Sequence, residues 1–216
     1  MKHLFGHFYA DFAKRPLDIF CSALALLDLC WLYAIIALLV RIKLGSPVIY
    51  TARRPGRIDS ATGQERIFTL YKFRSMSNAV DLSGKPLPDA QRLTSFGRFL
   101  RATSLDELPE LINILKGDMS IVGPRPLALS YLQYYTPEEH HRHDVRPGLT
   151  GLAQVNGRNN LSWERRFAFD LQYVRNLSFI GDVKILFMTL VKVLKREGIG
   201  QGEEAPVSLS TERQCR

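Results

Sequence analysis

The sequence predicts a helix-dominated α+β fold: an N-terminal membrane segment, re-entrant or a single span, followed by a compact domain with a short β-hairpin and interfacial amphipathic helices. Three observations predict it. Residues 19–40 are almost wholly apolar, and about 20 such residues suffice to cross a bilayer. Only residues 48–50 and 67–71 are rich in β-formers, and they flank the turn-rich stretch 59–63, which reads as one hairpin. Most of what remains is polar loop or repeats apolar residues at helical spacing.

In the apolar segment Cys21, Ser22, Asp28 and Cys30 are the only breaks around Trp31 and Tyr33. The run is too long for a cleaved signal peptide, and no small-residue cleavage pattern precedes the basic stretch after it. Cations flank both ends, with Lys2, Lys14 and Arg15 before and Arg41, Lys43, Arg53, Arg54 and Arg57 after. Cationic flanks favour the cytoplasmic side, so a single span leaves one flank misplaced. A hairpin that enters and leaves by the same face satisfies both. Asp28 points the same way, because a carboxylate at the centre of a spanning helix costs roughly 2.5–3.5 kcal/mol.

Beyond the segment, residues 77–92 read as a surface loop, being polar with Gly84, Pro86 and Pro88. Helices are expected at 94–102, 105–116, 126–135, 137–142, 161–175 and 182–196. For 105–116 the signals are a capping box of Ser104 and Glu107, an apolar face of Leu108, Leu111, Ile112 and Leu115, and a stop at Gly117. The helix 182–196 carries Val183, Ile185, Leu186, Met188, Leu190 and Val191, with Lys184, Lys192, Lys195 and Arg196 near its ends. It reads equally as an interfacial helix or as a core helix. The tail is polar, without periodicity, and expected to be disordered. The organisation is therefore 1–45 membrane segment, 46–200 main domain and 201–216 tail.

Composition narrows the partners. A net charge of +8 over 216 residues calls for an anionic one: nucleic acid, a lipid surface or a phosphorylated substrate. No helix-turn-helix, zinc-finger or RRM signature supports nucleic acid. Cysteines at 21, 30 and 215 form no disulfide framework or metal-ligand spacing, which fits a reducing, cytoplasm-facing domain. His140, His141 and His143 read as a solvated face rather than a metal site.

The chemistry concentrates at Asp106 and Glu107. An acidic pair at a helix start can ligate a divalent cation or attack phosphorus, with arginines holding the phosphate charge. The pair also reads as a helix cap that complements the dipole. A membrane-tethered scaffold protein remains the non-enzymatic alternative.

The ordered motifs carry a resemblance. Lys14-Arg15-x-x-Asp18, Tyr71-Lys72-Phe73-Arg74-Ser75-Met76, Ser104-Leu105-Asp106-Glu107, Lys116-Gly117-Asp118-Met119-Ser120, Gly123-Pro124-Arg125-Pro126, Arg146-Pro147-Gly148 and Gln154-Val155-Asn156-Gly157-Arg158 follow in this order. The series resembles the bacterial sugar transferase family and, more narrowly, its small monotopic polyprenyl-phosphate phosphoglycosyl transferases, nearest to the diacetylbacillosamine-1-phosphate transferase type.

The resemblance implies transfer of a sugar 1-phosphate from a UDP-sugar to undecaprenyl phosphate, with release of UMP. The donor would be an N-acetylated amino or diamino sugar, with galactose, glucose and N-acetylgalactosamine as alternatives. It implies a catalytic domain on the cytoplasmic face of the bacterial inner membrane, in contact with lipid and with downstream glycosyltransferases. The implied mechanism is ping-pong. Asp106 forms a covalent phosphosugar intermediate, and Asp106 with Glu107 holds Mg²⁺. Lys72, Arg101, Arg125 and Arg146 are the implied phosphate and nucleotide contacts, with Asp170 and Tyr173 as further candidates. Family members carry a Ser-Pro pair where this chain reads Cys30-Trp31. Without proline the kink loses its usual cause, so hairpin and single span both stay open.

Overall fold

The computed structural model describes residues 8–157, 161–195 and 208–214. Helix α1 (Tyr9–Asp28) opens with a π-helical turn and meets α2 (Cys30–Lys43) at a bend of 65°. Among the described residues no single helix is long and apolar enough to cross a membrane, and the two pass that measure only as a bent pair. The break falls at Leu29, directly after Asp28 and with no proline, where φ is −99° and ψ is 8°. Tertiary attachments hold each arm. Arg15 donates to the Ile114 and Leu115 carbonyls at 2.6 and 3.1 Å, and Asp18 accepts from the Ile121 N–H at 3.1 Å. On the other arm the Tyr33 hydroxyl donates to the Leu108 carbonyl, while Ile36 and Val40 pack with Phe73 and Leu100.

Strands β1 (Ile49–Ile58) and β2 (Glu65–Phe73) pair antiparallel from Ile49 opposite Phe73 to Ile58 opposite Glu65. They are longer than the β-former runs 48–50 and 67–71 suggest, because β1 continues through Arg53-Arg54-Pro55-Gly56, which is not rich in β-formers. An irregularity between Pro55 and Ile58 absorbs the proline, which has no N–H for the ladder. The loop 77–92 contains the one-turn helix α3 (Asp89–Arg92) and bridges Met76–Leu93 and Val80–Pro86. Helix α4 (Ser95–Ala102) starts as expected, with the Thr94 hydroxyl accepting from the Gly97 N–H.

The expected helix 105–116 is two pieces, a 3₁₀ turn Leu105–Glu107 and α5 (Glu110–Lys116). Ser104 makes no cap; its backbone is left-handed. The capping box forms instead at Thr136 and Glu139, ahead of the short helix α6 (Pro137–His140). Gly117 does end α5, at a φ of 92°. Strands β3 (Ser120–Val122) and β4 (Gly148–Thr150) form a small parallel pair too short for a sequence signal. The expected helix 126–135 is a 3₁₀ segment, Leu129–Tyr134, preceded by Pro124 and Pro126.

Helices α7 (Leu152–Asn156), α8 (Trp163–Arg175) and α9 (Phe179–Lys195) follow. Ile185 of α9 is buried with Val122, Val155 and Tyr173, while Phe179, Ile180, Val183, Phe187 and Leu190 stay exposed. The helix is thus core-packed along one stripe and apolar outward. The tail is not wholly without structure, because α10 (Leu209–Gln214) buries Leu209 beside Trp163 and pairs Arg213 with Glu139 at 2.5 Å. Its one apolar anchor and one guanidinium are too few to read as a helix in isolation. His143 also departs from expectation. It is buried, lies 3.0 Å from the Gly56 carbonyl through Nδ1, and stacks on Tyr135. Burial, then the Arg142 charge, pushes its pKa down to about 3, so it stays neutral.

Asn113 joins α5 to the hairpin. Its fully buried amide accepts from the Tyr71 N–H at 3.0 Å and donates to the Thr69 carbonyl at 2.7 Å, covering the free edge of β2. Asn113→Ala strands both backbone groups, and a destabilisation of about 2–4 kcal/mol is expected from chemical denaturation in detergent. A loss within about 0.5 kcal/mol would show that the amide does not join the two elements.

Candidate active site

The chain leaves α4 and reverses at Ser104, whose φ of 56° is the one positive value outside glycine among the described residues. A left-handed serine costs roughly 1–2 kcal/mol, and such strain persists where surrounding structure fixes it. The turn sets Asp106 inward, 7% exposed, with Glu107 beside it. No hydrogen bond or ion pair to the Asp106 carboxylate forms among the described residues.

Glu107 is held firmly. Its Oε1 accepts from Lys72 Nζ and from Arg125 Nη2, both at 2.7 Å. Lys72 also reaches Glu110 Oε1 at 3.0 Å. Strand geometry delivers the lysine, since Phe68, Leu70 and Lys72 alternate onto one face of β2. Arg125 sits between two prolines, and its carbonyl accepts from Arg142 Nη2 at 2.7 Å. Arg101 donates through Nε to Ser75 Oγ at 2.9 Å, with its charge felt at Asp106. Arg54, Leu70, Lys72, Glu110, Arg125 and Pro126 line a pocket of about 70 Å³.

The neighbouring acids separate electrostatically. Burial, then the charge of Glu107, raises Asp106 to about 6 against the pull of Lys72, Arg125 and Arg101. Burial acts on Glu107 too, but the charges and hydrogen bonds of Arg125 and Lys72 outweigh it and hold that carboxyl well below its usual range. Burial raises Glu110, with Lys72 opposing.

The structure brings together Asp106, Glu107, Lys72 and Arg125, with Arg101 close by. It does not bring in the other three candidates. Arg146 donates through Nε to the Gly117 carbonyl at 3.0 Å, at the opposite end of α5. Asp170 is a core residue, paired with Arg142 at 2.7 Å, both side chains at most 2% exposed. It supports Arg125 only through Arg142. The Tyr173 hydroxyl is buried 2.9 Å from the Val122 carbonyl and 2.9 Å from Asp182 Oδ1. Their helical spacing signals burial as readily as binding. Arg158 lies outside the described residues.

Sequence reasoning missed Glu110 and Arg54. Glu110 follows Pro109 and reads as an ordinary first-turn acid. Arg54, read only as a cation flanking the apolar segment, lines the pocket with a buried Nε that finds no partner among the described residues.

The raised Asp106 pKa has a stability consequence. Its native state favours the proton, so its stabilising contribution is complete below about pH 4 and lost as pH rises through about 6. Without divalent cations, Asp106→Asn is expected to exceed the parent in unfolding free energy at pH 8, by up to about 3 kcal/mol in chemical denaturation, with the gap closing towards pH 4. A gap independent of pH would contradict the shifted carboxyl.

Residues 9–196 match the family of bacterial sugar transferases. The chain is 53% identical to the uncharacterized sugar transferase EpsL of Bacillus subtilis over 162 residues, 75% of this chain and 77% of that one. It is 40% identical to the undecaprenyl-phosphate galactose phosphotransferase of Salmonella typhimurium over 204 residues, 87% of this chain but 41% of that longer protein. With the exopolysaccharide production protein ExoY of Rhizobium meliloti it shares 38% over 203 residues, 86% of this chain and 87% of the relative. None of these names points to diacetylbacillosamine. The match runs through the hairpin, the Asp106–Glu107 turn and the arginine loops alike, and the chain belongs to the bacterial sugar transferase family.

Proposed function

We propose that the chain transfers a sugar 1-phosphate from a UDP-sugar to undecaprenyl phosphate and releases UMP. One observation carries the reading: Asp106 is buried and has no cationic partner in hydrogen-bond contact, while Glu107 beside it is neutralised twice. A carboxylate freed from ion pairing is available as a nucleophile. Asp106 Oδ attacks the β-phosphorus, the bridging P–O bond breaks, and UMP leaves with that bond's electron pair. An oxygen of the lipid phosphate then attacks the same phosphorus, displaces the carboxylate and restores Asp106. Lys72 and Arg125 hold Glu107 in place and supply positive charge beside the reacting phosphates.

Mg²⁺ fits the donor set. Among the described residues no group of three or more His, Cys, Asp or Glu could hold a metal, yet Mg²⁺ characteristically takes one or two carboxylates together with substrate phosphates. The Asp106 oxygens are unpaired, and Glu107 uses only Oε1 in its two ion pairs. These two residues would hold the ion, which when bound neutralises pyrophosphate and leaving-group charge.

The bent helix pair supports a re-entrant insertion from the cytoplasmic face of a bacterial inner membrane. Phe20, Leu24, Leu27, Trp31, Ile35 and Leu38 are exposed on it, and the outward apolar residues of α9 suit the same surface. A soluble donor and a lipid phosphate can then both reach Asp106. For the sugar, the galactose in the Salmonella relative's name makes UDP-galactose the first donor to test, followed by N-acetylated amino and diamino sugars.

Purified full chain in detergent, with undecaprenyl phosphate, Mg²⁺ and a panel of UDP-sugars, is expected to release UMP with at least one donor. Asp106→Asn is expected to reduce that rate by about 10³-fold or more, as for loss of a nucleophile. Absence of UMP with every donor overturns the assignment. In intact cells, a variant retaining Cys30 as its sole cysteine is expected to resist an impermeant thiol reagent from the periplasmic side. Labelling there would mean a complete span.

A further inference from the structure

A second cleft, of about 250 Å³, opens at the far end of α5, lined by Arg57, Asp59, Ser60, Arg66, Gly117, Asp118 and Arg146 among others. Helix α5 separates it from the acidic pair by roughly 10 Å, at 1.5 Å per residue. Arg57 and Arg66 are exposed and form no hydrogen bond or ion pair among the described residues. Arg146 uses Nε on the Gly117 carbonyl. Arg15 stands behind Gly117, with Nη2 3.3 Å from where a β-carbon would lie. The cleft's two carboxylates bond neutral donors rather than these arginines: Asp59 accepts from the Ala61 N–H at 2.8 Å, and Asp118 from the Asn113 amide at 3.3 Å.

We propose that Arg57, Arg66 and Arg146 bind the phosphate of a soluble ligand in this cleft, at the end of α5 opposite the acidic pair. The three guanidinium groups outnumber the cleft's two carboxylates and form no ion pair with them, so the lining keeps a net positive charge. A dianion with several acceptor oxygens neutralises that charge and matches the planar donor geometry of the guanidinium groups. The mutual proximity registers at Arg146, whose pKa is lowered first by burial and then by the charges of Arg15, Arg57 and Arg66, with Asp18 opposing.

The fold favours a soluble ligand over a lipid headgroup. Tyr33, just past the bend, bonds the Leu108 carbonyl at the start of α5, whereas Arg15 bonds carbonyls at its end. From Arg15 to the bend α1 rises roughly 20 Å. The cleft therefore lies at the end of α5 away from the bend. Its chemistry stands independently of the reaction assigned to Asp106.

The test uses full chain carrying Asp106→Asn, without divalent cations, titrated calorimetrically with inorganic pyrophosphate and with UMP. Adding Arg57→Gln and Arg66→Gln is expected to weaken binding about tenfold or more, a difference of roughly 1.4 kcal/mol. Both arginines are exposed, so matching melting curves are expected for the two proteins. Loss for both probes assigns a nucleotide, and loss for pyrophosphate alone an inorganic anion. The proposal is overturned if neither probe binds the parent, if the double substitution leaves affinity unchanged, or if Arg125→Gln alone removes the binding.

Discussion

The buried amide of Asn113 is the constraint on which the site depends. The outer edge of β2 has unpaired backbone groups, and α5 has no strand to offer them. A side-chain amide supplies one acceptor and one donor at the required spacing, so a helix covers a strand edge as another strand would. That attachment fixes the distance from Lys72 on β2 to Glu107 and Glu110 at the start of α5. Arg15 and Tyr33 bond the backbone at the two ends of the same helix, which ties the two arms of the bent helix pair to the hairpin through a single element.

The acidic pair shows how contact geometry divides two residues that sequence presents as equals. Asp106 is buried and Glu107 half-buried, and both lie near the same cations. Of these two acids, Lys72 and Arg125 touch only Glu107, so their charge and hydrogen bonds offset its desolvation, while Asp106 feels them at longer range and its pKa rises. Glu107 is thereby an anchored anion and Asp106 an unpaired one. The distinction between the unpaired acid and the anchored one is thus built from a turn, a strand register and a proline-framed arginine, with Asp170 and Arg142 supporting that arginine's backbone from the core.

Much of this was legible in the residues. The hairpin, α4, α8, α9 and the stop at Gly117 follow from local patterns, and the order of short motifs identified the family because residue order is a property of the sequence itself. Three signals misled. Ser104 and Glu107 satisfy the spacing of a capping box, but the left-handed turn that orients Asp106 is incompatible with it. Asp170 and Tyr173 are polar residues on a helix, yet a buried salt bridge and a buried hydroxyl place them in the core. His143 resembles its exposed neighbour His141 until Gly56 and Tyr135 close over it.

The sequence by itself determined the family, the acidic pair and an apolar N-terminal segment with cations at both ends, because these are properties of residue type and order. Tertiary structure decided the rest. The bend at Leu29 has no proline to cause it, and its two arms are attached at opposite ends of α5. The predicted cations separate into an Arg125 and Lys72 group at one end of α5 and an Arg146 group at the other, since a helix of seven residues stands between them. Charge alone does not order such residues in space; the packing of α5 against β2 does.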